Sequence, residues 1–259
     1  MLLYLRKHQT LKRKVMSETK ANNTQPNDTW KPTEDNKSKA TTFRVISIIL
    51  WVIAIGFEIW AIMKLLKNQV ADDGMTMLIV FIAIALICAV VGNLLWKKAN
   101  RLDPASEKEP FKFFVQNQLG AIISALAFLP LLIVVLTDKN ISGKQKGILG
   151  AIAGIALLAG VGTGIDFNPQ SIEKYTEETR RVKEINNGID LVYYTKYGKK
   201  YHTHGDCHHI NGEDNTKMSG TVASAYEQKS ISELCKTCEK KSIKLNGITE
   251  IAEELEAAE

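Results

Sequence analysis

Three of the four cysteines stand among histidines near the C-terminal end: His202-x4-Cys207, then 28 residues on, Cys235-x2-Cys238. Thiolate and imidazole are the ligands of tetrahedral structural metal sites, and a CxxC turn delivers two sulfurs from one tight loop. Three cysteines cannot all pair in one chain, and CxxC beside a His/Cys cluster reads as a metal site before a disulfide framework. The expected ligand set is His202, Cys207, Cys235 and Cys238, and the expected cofactor is one zinc ion. His204 gives a competing spacing, His204-x2-Cys207, so the imidazole ligand is His202 or His204. His202, which ends a β-prone run after Tyr201, is preferred. His208 and His209 read as exposed polar residues. The competing view, that these are unrelated surface residues, is disfavoured by how scarce cysteine is elsewhere. Four protein ligands close the zinc shell and leave no position for water, which argues against hydrolysis. The chain has no HExxH, P-loop or GxSxG, so the reading is against an enzyme.

Glu58 is the second residue of interest, the only acidic side chain well inside a long apolar run. An intramembrane carboxylate is costly and points by default to a functional site. The simpler account is a protonated acid, or one that reaches toward the interface where Lys64 and Lys67 follow. Asn93 and Ser124, also within apolar runs, read as interhelical hydrogen-bonders. Trp51 and Trp60 call for no special role, and Cys88 reads as a small apolar residue.

The elements that carry these residues follow from composition. The chain has 259 residues, net charge +5 and four cysteines. Its near-zero mean hydropathy hides a strong segregation, with apolar residues between Phe43 and Phe167 and polar flanks. A spanning helix needs ~20 apolar residues. Four segments meet or approach that: about 43–66, 75–96, 119–136 and 147–167, with FKFFVQNQ an alternative, earlier start for the third. Short connections within the first pair and within the second predict two antiparallel hairpins. The fourth span carries Gly150-x3-Gly154 and Gly160-x3-Gly164, which suit close helix packing in the bundle or in a homo-oligomer. Pro130 is placed to kink the third span. Residues 1–41 read as a basic and polar disordered segment, with Met16 a candidate start and 1–15 otherwise a basic membrane-surface arm.

Thirteen basic residues flank one set of span ends: Lys31, Lys37, Lys39 and Arg44; Lys97, Lys98, Arg101, Lys108 and Lys112; Lys174, Arg180, Arg181 and Lys183. Five flank the other: Lys64, Lys67, Lys139, Lys144 and Lys146. The asymmetry places both termini in the cytoplasm, where a reducing environment suits a metal-binding tail.

After the spans, 168–188 reads as a polar helical linker opened by Pro169 and broken at Asn187-Gly188. Residues 189–246 form the expected zinc domain, and 247–259 an acidic tail. DLVYYTKYGKKYHT predicts a hairpin turning at Gly198, and 221–229 a short helix leading to LCKTC. Its candidate core is Leu191, Tyr193, Ile210, Val222, Tyr226 and Leu234. The run YYTKYGKKYH, then DCHHI, then TVASAYEQKSISELCKTC resembles the small metal-binding module of Ada-type methylphosphotriester repair proteins and related bacterial tail domains. The resemblance extends from Tyr193 to Cys238 and implies that module's fold and zinc binding through His202, Cys207, Cys235 and Cys238. In the repair proteins the first ligand is a methyl-accepting cysteine. His202 stands there in this chain, so that role is not carried over, and DNA binding does not follow.

The fold expected is therefore an all-α membrane domain of four transmembrane helices with a small α+β zinc-binding domain behind it. The expected function is a bacterial-type, multi-pass cell-membrane protein whose bundle anchors a cytoplasmic zinc-binding interaction or regulatory module. The alternative is a small transport or channel component with Glu58 in its pathway and the tail as a gate. A membrane enzyme with an open zinc site ranks last. Expected partners are the lipid bilayer, a second copy or another helix at the glycine-rich fourth span, and a protein docking on the zinc module. Nothing points to nucleic acid.

Overall fold

The first helix begins before the apolar residues do. The computed structural model describes residues 29–67, 72–212, 216–227, 231 and 233–246. The expectations for Met16, for 1–28 and for the acidic tail 247–259 lie outside the described residues. Within them, helix α1 runs Glu34–Leu66, so residues 34–41 are helical rather than part of a disordered segment. The reason is local chemistry. Thr33 caps the helix by accepting from the Asn36 amide, and Glu34 and Asp35 sit in the first turn, where the helix dipole favours negative charge. Lys37 and Lys39 pair with them one turn on. Ala40 is then buried with Phe43 against Ala99 and Leu102.

Three more long helices follow: α2, Asp72–Leu102; α3, Pro110–Thr137; and α4, Gly143–Gly164. The third starts at Pro110, so FKFFVQNQ belongs to it, and Pro130 lies inside it. The α3–α4 connection ends in a capping box, Ser142 with Gln145. At about 1.5 Å per residue even α4, with 22 residues, is about 33 Å long, and all four are long and apolar enough to cross a membrane.

Residues Pro32–Pro169 form one compact unit. Within it α1 packs chiefly on α2 and α3 on α4. Arg44 meets Asp103, Trp51 meets Asn93, and Phe57 stacks on Phe81, a reversed order that makes the first pair antiparallel. Large apolar side chains point outward on every helix, Val52, Ile87, Leu126 and Leu158 among them. An aqueous protein rarely exposes such a continuous apolar surface, whereas a bilayer requires one.

The second unit joins the described residues before Pro32 to those from Gln170 onward. Helix α5 spans Ile172–Ile185 with Ser171 at its N-cap, so it starts three residues after Pro169, the residue expected just inside it. It ends where expected: Asn187 and Gly188 both take positive φ, and the Gly188 amide donates to the Lys183 carbonyl at 2.7 Å. This helix is no linker. Tyr175, Val182 and Ile185 are buried in the same core as Val222 and Tyr226, and Trp30 packs edge-on against Tyr175.

The strands are short. β1 (Val192–Thr195) pairs antiparallel with β3 (Lys217–Gly220), and β2 (Lys200–Tyr201) runs parallel to β4 (Glu233–Leu234). The predicted hairpin survives as a single bridge, Tyr193 to His202, closed by a turn in which the Gly198 amide donates to the Thr195 carbonyl. Its strands find their ladders with other partners. Helix α6, Val222–Tyr226, and helix α7, Lys236–Asn246, complete the unit.

Candidate metal centre and the buried carboxyl

Each ligand of the tail cluster is placed by backbone pairing. His202 follows β2, and its amide and carbonyl exchange hydrogen bonds of 2.8 and 2.7 Å with Tyr193. The Tyr201 carbonyl accepts from the Cys235 amide at 2.8 Å, so the β2–β4 pairing brings the first CxxC cysteine beside the first histidine. Cys207 lies in a turn whose Cys207 amide donates to the His204 carbonyl and whose Ile210 amide donates to the Cys207 carbonyl. Cys238 sits in the first turn of α7. Gly205 packs closely on the Tyr193 ring, where a Cβ would stand 3.1 Å away, a tight contact.

The result is a cluster of His202, Cys207, Cys235 and Cys238, all four buried, with ligand atoms within 4.8 Å of one another. His202 Nδ1 and Cys238 Sγ are 3.5 Å apart. A tetrahedron with Zn–S of about 2.3 Å and Zn–N of about 2.0 Å has S···N edges of about 3.5 Å, so the donor set fits a metal ion. His204 lies outside it, its Nε2 3.2 Å from Ser242 Oγ. Ser242 in turn bonds Thr203 at 2.8 Å, which fixes the chain between His202 and His204. His208 and His209 are exposed, their rings 3.8 Å apart.

Electrostatics suit a ligand role. Burial first, then His209, Lys200 and His208, lower the His202 pKa to about 4, which keeps the imidazole neutral, the form that ligates metal ions. Burial likewise pushes the metal-free Cys238 thiol up to about 12; a bound cation reverses that preference and deprotonates the sulfur. Outside the cluster, α7 is tied to α5 by the ion pair of Arg181 with the buried Glu239, and to the Cys207 turn by Lys241 with Asp206 at 3.1 Å.

No protein-family model, curated protein or solved structure matches this chain. What the cluster can do is therefore argued from its donors alone. The cluster can hold a metal ion, and its four protein donors fill a tetrahedral shell.

The helical unit contains a polar node and an orphan. The Trp51 indole donates to Asn93 Oδ1 at 3.0 Å, and Asn93 Nδ2 donates to Ser124 Oγ at 3.0 Å and to the Gly160 carbonyl at 2.9 Å. One amide thus joins α1, α2, α3 and α4. Trp51, read from sequence as unremarkable, has a specific role here. Its signal was available only in the pairing with Asn93, 42 residues away. Gly160 and Gly164 also serve this joint: a Cβ at Gly164 would stand 2.2 Å from the Ala121 amide nitrogen. Gly154 faces open space, so the two glycine motifs of α4 are not equivalent.

Glu58 is the orphan. It is 2 % exposed, and neither carboxyl oxygen has a hydrogen-bond partner. It does not reach out to Lys64, whose ammonium lies over the Trp60 ring.

Proposed function

We propose that this chain is an integral, multi-pass membrane protein that holds a cytoplasmic zinc-binding module used for protein interaction or regulation. The observation that carries the reading is the closed Cys3His cluster in a unit that follows four apolar helices. Three thiolates and an imidazole make a borderline-soft donor set that favours zinc over magnesium or calcium. Three thiolate charges against a divalent ion leave the centre at about −1, a stable arrangement for a structural site. A filled shell leaves no open position for catalysis, so the ion's work is to fold the tail. The likeness of residues 193–238 to the Ada-type module supports the same ligand set, without its methyl-acceptor cysteine. The charge asymmetry of the span ends supports a cytoplasmic tail.

Orientation is tested by accessibility. In a chain whose native cysteines are replaced only outside the metal cluster, a cysteine at Gly143 reacts with a membrane-impermeant thiol reagent in intact cells. One at Ser106 reacts only after the membrane is opened. The reverse pattern contradicts a cytoplasmic tail.

A further inference from the structure

We propose that Glu58 is a reversible proton-binding site inside the four-helix bundle, a second ligand site unconnected with the metal cluster. Asn93 and Ser124 belong to the four-helix node, Asn100 and Asn117 bond to one another and to α3 carbonyls, and Ser47 donates to the Phe43 carbonyl. Asn93, Ser124, Asn100 and Asn117 tie helices together, and Ser47 is satisfied within α1. Glu58 holds nothing, since both its oxygens are buried without a partner. A carboxyl that only adds desolvation cost is not explained by the fold.

The surroundings select the ligand. Glu58 occupies the buried stripe of α1 between Ala54 and Ala61. The contacts of Phe57 and of Trp60 with Phe81 place it at the level of Phe81 on α2. The apolar cluster around this stripe draws Ile82, Ala85 and Ala89 from α2 and Phe128 and Leu131 from α3. Among the described side chains of α2 the titratable group nearest this level is Cys88, half-buried and two turns on; α3 presents none along Asn117–Thr137; on α1 itself the next ionisable groups are Arg44, paired with Asp103, and Lys64. A sodium or calcium ion needs about six oxygen ligands, and no second side-chain oxygen is bonded to this carboxyl. An organic cation needs volume, and the groove of about 400 Å³ beside Ile53, Gly56, Phe57 and Trp60 lies on the far side of α1. A proton needs one oxygen and no volume. Exchange has a short way to go: Leu66, the end of α1, is eight residues on, about 12 Å along the axis.

The inference rests on the bundle lying in a bilayer, and the test separates the two. The full chain is reconstituted into liposomes, and flotation with the vesicles reports insertion. Infrared difference spectra of wild type minus Glu58→Gln then isolate the carbonyl stretch of one protonated carboxyl, recognised by its downshift in heavy water. The expected result is a single such band that disappears as the buffer is made alkaline and returns on acidification. Glu58→Asp, which keeps a carboxyl, should restore a titrating band. Circular dichroism confirms that helix content is unchanged in both variants. A band that ignores the buffer pH shows a permanently sealed neutral acid and overturns the proposal. Absence of the band at every pH shows an ionised carboxylate with an unseen counter-ion and overturns it as well.

Discussion

Asp190 lies between α5 and β1, 7 % exposed, with its carboxylate accepting from the Val222 amide at 2.9 Å. It thereby ties the chain before β1 to the first turn of α6. Burial raises its pKa from 3.8 to about 6, against the opposing pull of the Val222 amide and Lys183. Because the folded-state pKa lies above the unfolded one, the folded tail binds the proton more tightly. This contribution to stability is fully present below about pH 4 and is lost as pH rises through about 6, a change of ~3 kcal/mol. Asp190→Asn keeps an oxygen for the Val222 amide and removes the charge. The variant should therefore be more stable than wild type at neutral pH and should converge with it near pH 4. Thermal melts of the two chains side by side check this, and their difference cancels acid loss of metal, which affects both. Equal stability at neutral pH would mean that Asp190 is better solvated than its position implies. Among the ligand residues, His202→Ala should release the metal and His204→Ala should retain it, since His204 bonds Ser242 outside the cluster.

Helix packing supplies the next level. Asn93→Leu removes the acceptor of the Trp51 indole and the donor to Ser124 and Gly160 together, leaving a buried indole N–H unpaired. A loss of about 1–3 kcal/mol is expected, read as a lower denaturing-detergent midpoint for the micelle-bound chain. Ser124→Ala should do less, because Asn93 Nδ2 keeps the Gly160 carbonyl. On α4 the contrast is sharper: Gly164→Ala must push α3 and α4 apart, whereas Gly154→Ala meets nothing within 4 Å and should be neutral. Both glycine motifs look alike in sequence, and only the facing helix distinguishes them. The same limit applies elsewhere. Apolar length was enough to find four helices, but not the Glu34 start, which depends on a Thr33 cap and two ion pairs rather than on hydropathy. In the tail, Val222, Tyr226, Leu234 and Ile210 are buried as their types suggest. The pattern on β1 is offset by one residue, with Val192 and Tyr194 in the core and Tyr193 against the metal cluster. A one-residue change of register turns every side chain to the other face, and short β-prone runs do not reveal which face the core takes.

At the scale of the whole molecule, two units divide the work: an apolar bundle with a bilayer-sized exterior, and a small mixed unit whose core is assembled from distant pieces. The spacing of His202, Cys207, Cys235 and Cys238 made their clustering readable from sequence because thiol and imidazole side chains are few and chemically distinctive. The contribution of α5 was hidden by its polarity. Glu173, Glu177, Arg180 and Glu184 dominate its composition, while the buried residues are Tyr175, Val182 and Ile185. A fragment cut at residue 187 would therefore lose a wall of the core, and the decisive experiment uses the full chain. Elemental analysis of the purified chain, made with cell-supplied metal, measures the central claim directly. One zinc per chain is expected, held by three sulfurs and one nitrogen in its X-ray absorption spectrum. Cys235→Ser should lose the zinc together with the native circular dichroism of the tail, since metal binding contributes ~10–16 kcal/mol in small zinc modules. A wild-type chain that purifies without zinc and keeps the same tail structure before and after chelation would contradict the account.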